Sequence, residues 1–182
     1  MNTKIKMGKN RPLLIYSLSL SLFFILAIAS AATAATVVSV QPPTQDAAPG
    51  ATFSVKVNID SGSDNLHAAQ VELNYDANVL TAKTVILENL LGTDMLTEPG
   101  SGIGTGNVKY GVARTSSNPV APVNGTFFTV QFEVKNNAPP GVSILDLVNV
   151  SLKKDAVNNI ANPAVTGNIG LHANISIGGE KR

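Results

Sequence analysis

The stretch His67-Ala68-Ala69-Gln70-Val71-Glu72-Leu73-Asn74-Tyr75-Asp76-Ala77-Asn78-Val79-Leu80 decides how the rest of this 182-residue chain is read. Ala69, Val71, Leu73 and Tyr75 alternate with Ala68, Gln70, Glu72 and Asn74. A period of two sustained over eight residues marks a β-strand with one apolar and one polar face. Asp76 and Asn78 end the strand, because their short side chains bond nearby backbone and draw the chain out of a ladder. Val79 and Leu80 then return to an apolar interior.

The same grammar runs outward in both directions. Upstream, 37–40 is a short apolar strand, and in 52–59 Phe53, Val55, Val57 and Ile59 alternate with Ser54, Lys56 and Asn58. Pro42-Pro43 and Ala48-Pro49-Gly50 bracket the connection between them with turn residues. Downstream, strands are expected at 82–87, 108–113, 125–135, 142–147, 150–153 and 168–177. Between 90 and 107, glycines at 100, 102, 104 and 106 predict a long irregular surface loop. In 125–135, Phe128, Val130, Phe132 and Val134 share one face, and Phe127, Thr129, Gln131 and Glu133 the other. Parity therefore predicts that Phe127 points out. No helical period follows the first 35 residues. About nine short strands separated by Gly/Pro turns predict an all-β domain, a β-sandwich with jelly-roll topology.

The first 35 residues read differently. Lys4, Lys6, Lys9 and Arg11 precede an uncharged, mostly apolar stretch at 13–29 and small residues at 30–35. That order is a secretory signal peptide, and Ala32-Thr33-Ala34 fits its cleavage pattern. The alternative is an uncleaved membrane anchor, since about 17 apolar residues just span a bilayer. Both place the 36–178 domain and the polar tail 179–182 outside the cytoplasm, secreted or at the cell surface, with any membrane contact made through the leader. The whole chain has 13 basic and 12 acidic residues. Removing the leader's four basic residues leaves nine against twelve, a mild acidity with no footprint for nucleic acid. The absence of cysteine means that an exported domain must be held by its core alone.

Residues that could carry chemistry are sparse. His67 and His172 fall in different strands without a nucleophile motif, and the acids lie mostly in turns, so no glycosidase pair stands out. Asp60-Ser61-Gly62-Ser63-Asp64-Asn65 is superficially like a calcium loop but lacks the later bidentate acid. It reads as a turn. No enzyme, cofactor or metal site is expected. A carbohydrate-binding module is the alternative that the architecture leaves open. After the leader there is no Trp, and among Phe53, Tyr75, Tyr110, Phe127, Phe128 and Phe132 parity turns only Phe127 outward. One exposed ring suits a protein interface better than a sugar platform.

Several pieces in order, Ala48-Pro49-Gly50-Ala51-Thr52-Phe53-Ser54-Val55, Leu73-Asn74-Tyr75-Asp76-Ala77-Asn78-Val79-Leu80, Gly125-Thr126-Phe127-Phe128-Thr129-Val130-Gln131-Phe132-Glu133-Val134, Pro140-Gly141-Val142-Ser143-Ile144 and Gly167-Asn168-Ile169, resemble a cohesin module over about 37–177. The resemblance implies a nine-stranded jelly roll without catalytic activity. It also implies a dockerin-bearing partner, commonly a polysaccharide-degrading enzyme, with calcium belonging to the dockerin. In better-known cohesins the dockerin lies across a sheet made of the third, fifth, sixth and eighth strands. Mapped by parity, that face holds Ala68, Gln70 and Glu72, then Lys109, Gly111 and Ala113. Phe127, Thr129 and Gln131 follow, with Ser151 and Lys153 last. Ala68 and Gln70 stand where the enzyme-binding type carries Asn and Asp, which implies a divergent partner. Three sequons, at Asn124, Asn149 and Asn174, are glycosylation candidates. Asn149 shares parity with the docking face and is expected to be unmodified.

Overall fold

The computed structural model describes residues 34–160 and 173–177. The leader as far as residue 33, His172 and the 179–182 tail lie outside them. Every regular element among the described residues is a strand. In chain order they are β1 (Val37–Gln41), β2 (Thr44–Ala47), β3 (Thr52–Asp60), β4 (Ala68–Tyr75), β5 (Leu80–Leu87), β6 (Met95–Thr97), β7 (Gly102–Ile103), β8 (Asn107–Arg114), β9 (Asn124–Val134), β10 (Gly141–Lys153) and β11 (Ala173–Ile177). One sheet runs β1-β3-β9-β5. The second runs β2-β11-β10-β4-β8-β6, with β7 also on β8. All pairs are antiparallel except β2 with β11. The all-β jelly-roll sandwich expected from the sequence is the fold that forms.

Strand count and boundaries differ where the apolar alternation is too short to read. Thr44–Ala47 is polar and pairs with β11 through its backbone. The glycine-rich loop contains two short ladders, Met95–Thr97 and Gly102–Ile103, both on β8. The stretches 142–147 and 150–153 are one strand, β10, carrying a bulge between Val148 and Ser151.

The core lies between the sheets. Val55, Val57 and Ile59 of β3 and Val130, Phe132 and Val134 of β9 meet Val71 and Leu73 of β4 and Leu145 and Leu152 of β10, all at 0–1% exposure. Aromatic rings bridge the layers. Tyr75 of β4 meets Phe132 of β9 edge-on at 5.1 Å, and Tyr110 of β8 lies 5.7 Å from Phe128 of β9.

One parity expectation fails in this core. Phe127 is fully buried, not outward. The β3–β9 register steps from Val57 opposite Phe128 to Asn58 opposite Thr126, which leaves Phe127 as the extra residue of a β-bulge. A bulge turns two successive side chains to one side of a strand. Phe127 and Phe128 therefore both enter the interior, with ring centroids 5.3 Å apart, while Thr126 and Thr129 face away on either side.

Candidate functional site

The outer face of the larger sheet is a grid set by backbone register. Lys153 of β10, Ala68 of β4, Ala113 of β8 and Leu96 of β6 stand opposite one another across four strands. One step along the strands, Ser151, Gln70 and Gly111 form the next row, and Glu98 closes it by donating its backbone N–H to the Gly111 carbonyl at 2.7 Å. A third row joins Val148, Glu72, Lys109 and Gly102. Of the residues mapped from sequence, Ala68, Gln70, Glu72, Lys109, Gly111, Ala113, Ser151 and Lys153 are brought together here.

Phe127, Thr129 and Gln131 are not. They belong to β9 in the opposite sheet, and Phe127 is inside. Without Met95–Thr97, counting strands slips by one, so that β8 takes the place of β6 in the count and β9, which lies in the other sheet, takes the place of β8. A three-residue strand shows too little alternation to be read from sequence. Its Leu96 was missed for that reason, although at 67% exposure it is the most prominent apolar side chain on this face.

The first two rows enclose an open groove of about 530 Å³. Ala68 and Ala113 form its floor, Leu96 and Pro99 one wall, and Lys153 and Ala156 the other. Small floor residues keep the backbone close to whatever lies in it. Gly111 is small for a local reason: the Glu98 side chain lies over it, and an added Cβ would run into that carboxylate. Ser101 holds the same crossing, its Oγ accepting from the Gly111 N–H at 3.0 Å. Among the described residues neither Glu98 nor Lys153 forms an ion pair.

The third row is chemically closed. Glu72 accepts hydrogen bonds from Asn149 Nδ2 and Asn107 Nδ2, both at 2.8 Å, so one carboxylate ties β10, β4 and β8 together. These two bonds, Asn149 first, hold the Glu72 carboxyl below its ordinary value; partial desolvation opposes them and Lys109 adds a small favourable charge. Asn149 sits in the β10 bulge at φ 48°, a left-handed conformation that Asn tolerates better than most residues. Asn124 Nδ2 donates to Asp60 Oδ2 at 2.8 Å. For Asn174 the backbone pairs with Ile144 and Thr44.

The remaining sequence candidates serve the scaffold. Asp60 Oδ1 accepts the Gly62 N–H at 2.8 Å, and Ser61 Oγ donates to the Asp64 carbonyl at 2.7 Å while accepting the Val123 N–H at 2.9 Å, so the Asp60–Asn65 segment is a turn closed by its own polar groups and tied to Val123. Among the described residues no cluster of three or more His, Asp or Glu could hold a metal ion. His67 is buried at the edge of the groove.

A two-sheet jelly roll with one open, small-residue face is a recognised class of module, and comparison with known proteins places it. The family model described as the Cohesin domain matches residues 38–170, and the chain belongs to that family. Among solved structures it is similar to the seventh ScaB type I cohesin from Pseudobacteroides cellulosolvens, with 18% identity over 81% of this chain and 94% of that one, TM-score 0.61. A type I cohesin–dockerin complex from Clostridium thermocellum matches at 13% identity over 79% and 99%, TM-score 0.62. A non-cellulosomal cohesin from the hyperthermophilic archaeon Archaeoglobus fulgidus matches at 20% identity over 80% and 93%, TM-score 0.57. At these identities the likeness is one of fold. Comparison with curated proteins gives no match.

Proposed function

We propose that this chain is an exported, non-catalytic receptor that binds the dockerin module of another protein on the outer face of its larger sheet. The observation that carries the reading is the row Lys153–Ala68–Ala113–Leu96. It offers a flat, small-residue floor and an exposed apolar wall, with Lys153 at one end and Glu98 of the neighbouring row at the other, neither ion-paired among the described residues. Small floor residues let a helix approach the sheet closely, and apolar side chains at its edge supply the buried contact that an interface core needs. Membership of the cohesin family supports dockerin as the partner class. A polysaccharide-degrading enzyme is the protein expected to carry it, in a secreted or surface assembly, and the basic-apolar-small leader supports that location. Ala68 and Gln70 favour a dockerin unlike those of the enzyme-binding type.

A sugar site has less support. Among the described residues every aromatic ring is buried or half-buried, which leaves no stacking platform.

Titration calorimetry of the 36–178 domain against dockerins of its source organism, with calcium and then with a chelator, tests the reading. Binding that disappears with the chelator is the expected result. No heat from any calcium-loaded dockerin would sink the receptor assignment, and polysaccharide pull-downs would be the next measurement.

A further inference from the structure

The groove has direction. Its floor is apolar and nearly featureless, but its two ends carry opposite charge. Lys153 stands at the β10 end beside Ala156. At the β6 end the Glu98 side chain lies over Gly111, next to Leu96 and Pro99. Neither charge is ion-paired among the described residues, in contrast to Glu72 one row away, whose carboxylate already accepts two hydrogen bonds. The row from Lys153 to Leu96 crosses four strands, about 14 Å at roughly 4.8 Å per strand. That length matches roughly ten residues of α-helix at about 1.5 Å each. A helix is itself a dipole, positive at its N-terminus and negative at its C-terminus. Laid in this groove, it is favoured in one direction and opposed in the other.

We propose that the groove takes a single partner helix in one direction only, with its N-terminal turn at Glu98, its C-terminal turn at Lys153, and small or apolar side chains against Ala68, Ala113 and Leu96. This rests on the receptor reading above and adds the polarity of the bound helix and the two residues that set it. A partner selected by this face carries basic or uncharged residues in the first turn of the docked helix and no Lys or Arg in its last. The charges act on orientation and partner choice, while burial of the floor supplies most of the affinity.

The test uses the calcium-loaded dockerin that binds most tightly in the calorimetry above, carrying a nitroxide label at the N-terminal turn of its groove-facing helix. Methyl and amide spectra of the wild-type domain should show paramagnetic relaxation that is clearly stronger at Leu96 and Thr97 than at Ala156. Glu98→Lys and Lys153→Glu should each weaken binding by about three- to tenfold at low salt, an effect that fades as salt rises. Both variants should keep the wild-type melting temperature within a few degrees, because both charged groups are at the surface and unpaired. The double reversal E98K/K153E should move the broadening towards Ala156. Equal relaxation at both ends, stronger relaxation at Ala156 than at Leu96 in the wild type, or unchanged affinity in both single variants would overturn the directional assignment while leaving the receptor intact. A wild-type domain that binds no dockerin overturns both.

Discussion

The two outer faces of the sandwich have the same backbone and opposite chemistry. On the four-stranded sheet the polar side chains answer one another. Lys83 pairs with Glu133 at 2.7 Å, and Thr126 donates to Asn58 at 2.9 Å. Lys83 itself is the extra residue where the β5–β9 register shifts, a bulge near an edge that discourages further strand pairing. That face is mostly polar and partly paired within itself, with Ile86 at its β5 edge the large apolar side chain it exposes most. On the seven-stranded sheet the Glu72 row is closed in the same way, but the two rows beside it present Ala, Gly, Ser and Gln, with Lys153 and Glu98 unanswered. A surface whose polar side chains largely pair with one another gains less from a partner. A shelf of small residues with unpaired charges at its rim gains both burial and charge complementarity.

The sharpest way to break this contrast is Phe127→Ala. Because the ring is buried beside Phe128, the variant should lose about 3–5 kcal/mol of stability in urea unfolding. Dockerin affinity per folded molecule should stay unchanged. A large loss of affinity with stability intact would return Phe127 to the surface and undo the assignment of faces.

Next in size is Ala113→Arg, which places a long side chain in the middle of the groove floor. Dockerin binding should weaken by about 30-fold or more, the scale of a hot-spot contact of about 2 kcal/mol. Stability should move by no more than about 0.5 kcal/mol, since Ala113 is exposed. Unimpaired binding would put the interface elsewhere.

A smaller effect is expected in the closed row. Asn149→Ala removes the first of the interactions that lower the Glu72 carboxyl, so that group should titrate at higher pH in carbon-13 side-chain spectra. A carboxyl held low in the folded state adds stability above its unfolded pKa and loses it as pH falls through the folded value. In the variant that contribution is smaller, and its loss on acidification ends at a higher pH than in the wild type. An unshifted Glu72 would mean that the clamp across β10, β4 and β8 is not closed in solution. The same position tests the open shelf: a glycan at Asn149 would project over the proposed docking face, so peptide mapping of native protein should find it unmodified.

The smallest effect belongs to the opposite face. Gln131→Arg should leave dockerin affinity within about twofold, the usual consequence of an exposed substitution far from the contact. A clear loss would restore the four-stranded sheet as part of the interface.

Long periodic strands were legible without a structure. Phe53, Val55, Val57 and Ile59 declared their inward face by alternation alone, as did Ala69, Val71 and Leu73, because a pleated backbone sends successive side chains to opposite sides and burial selects the apolar set. Those patterns, with the Asp76–Asn78 turn, were enough for the sandwich and for placing the outward residues of β4, β8 and β10 on one face. Alternation fails where the backbone changes its count. At Phe127 a bulge moved one ring from the expected outside to the inside. At Met95–Thr97 the strand is too short to show a period, and missing it both hid Leu96 and misplaced Thr129 and Gln131.

The sequence by itself therefore determined the all-β class, the inward faces of the long strands and the stretch from which the proposed docking face grows. It could do so because side-chain periodicity is a local property of the strand. Which strands lie side by side, where a bulge resets parity, and that Glu98 crosses Gly111 to face Lys153 over two intervening strands were decided only in the tertiary structure. Those depend on register between segments far apart in the chain, and no local pattern encodes that register.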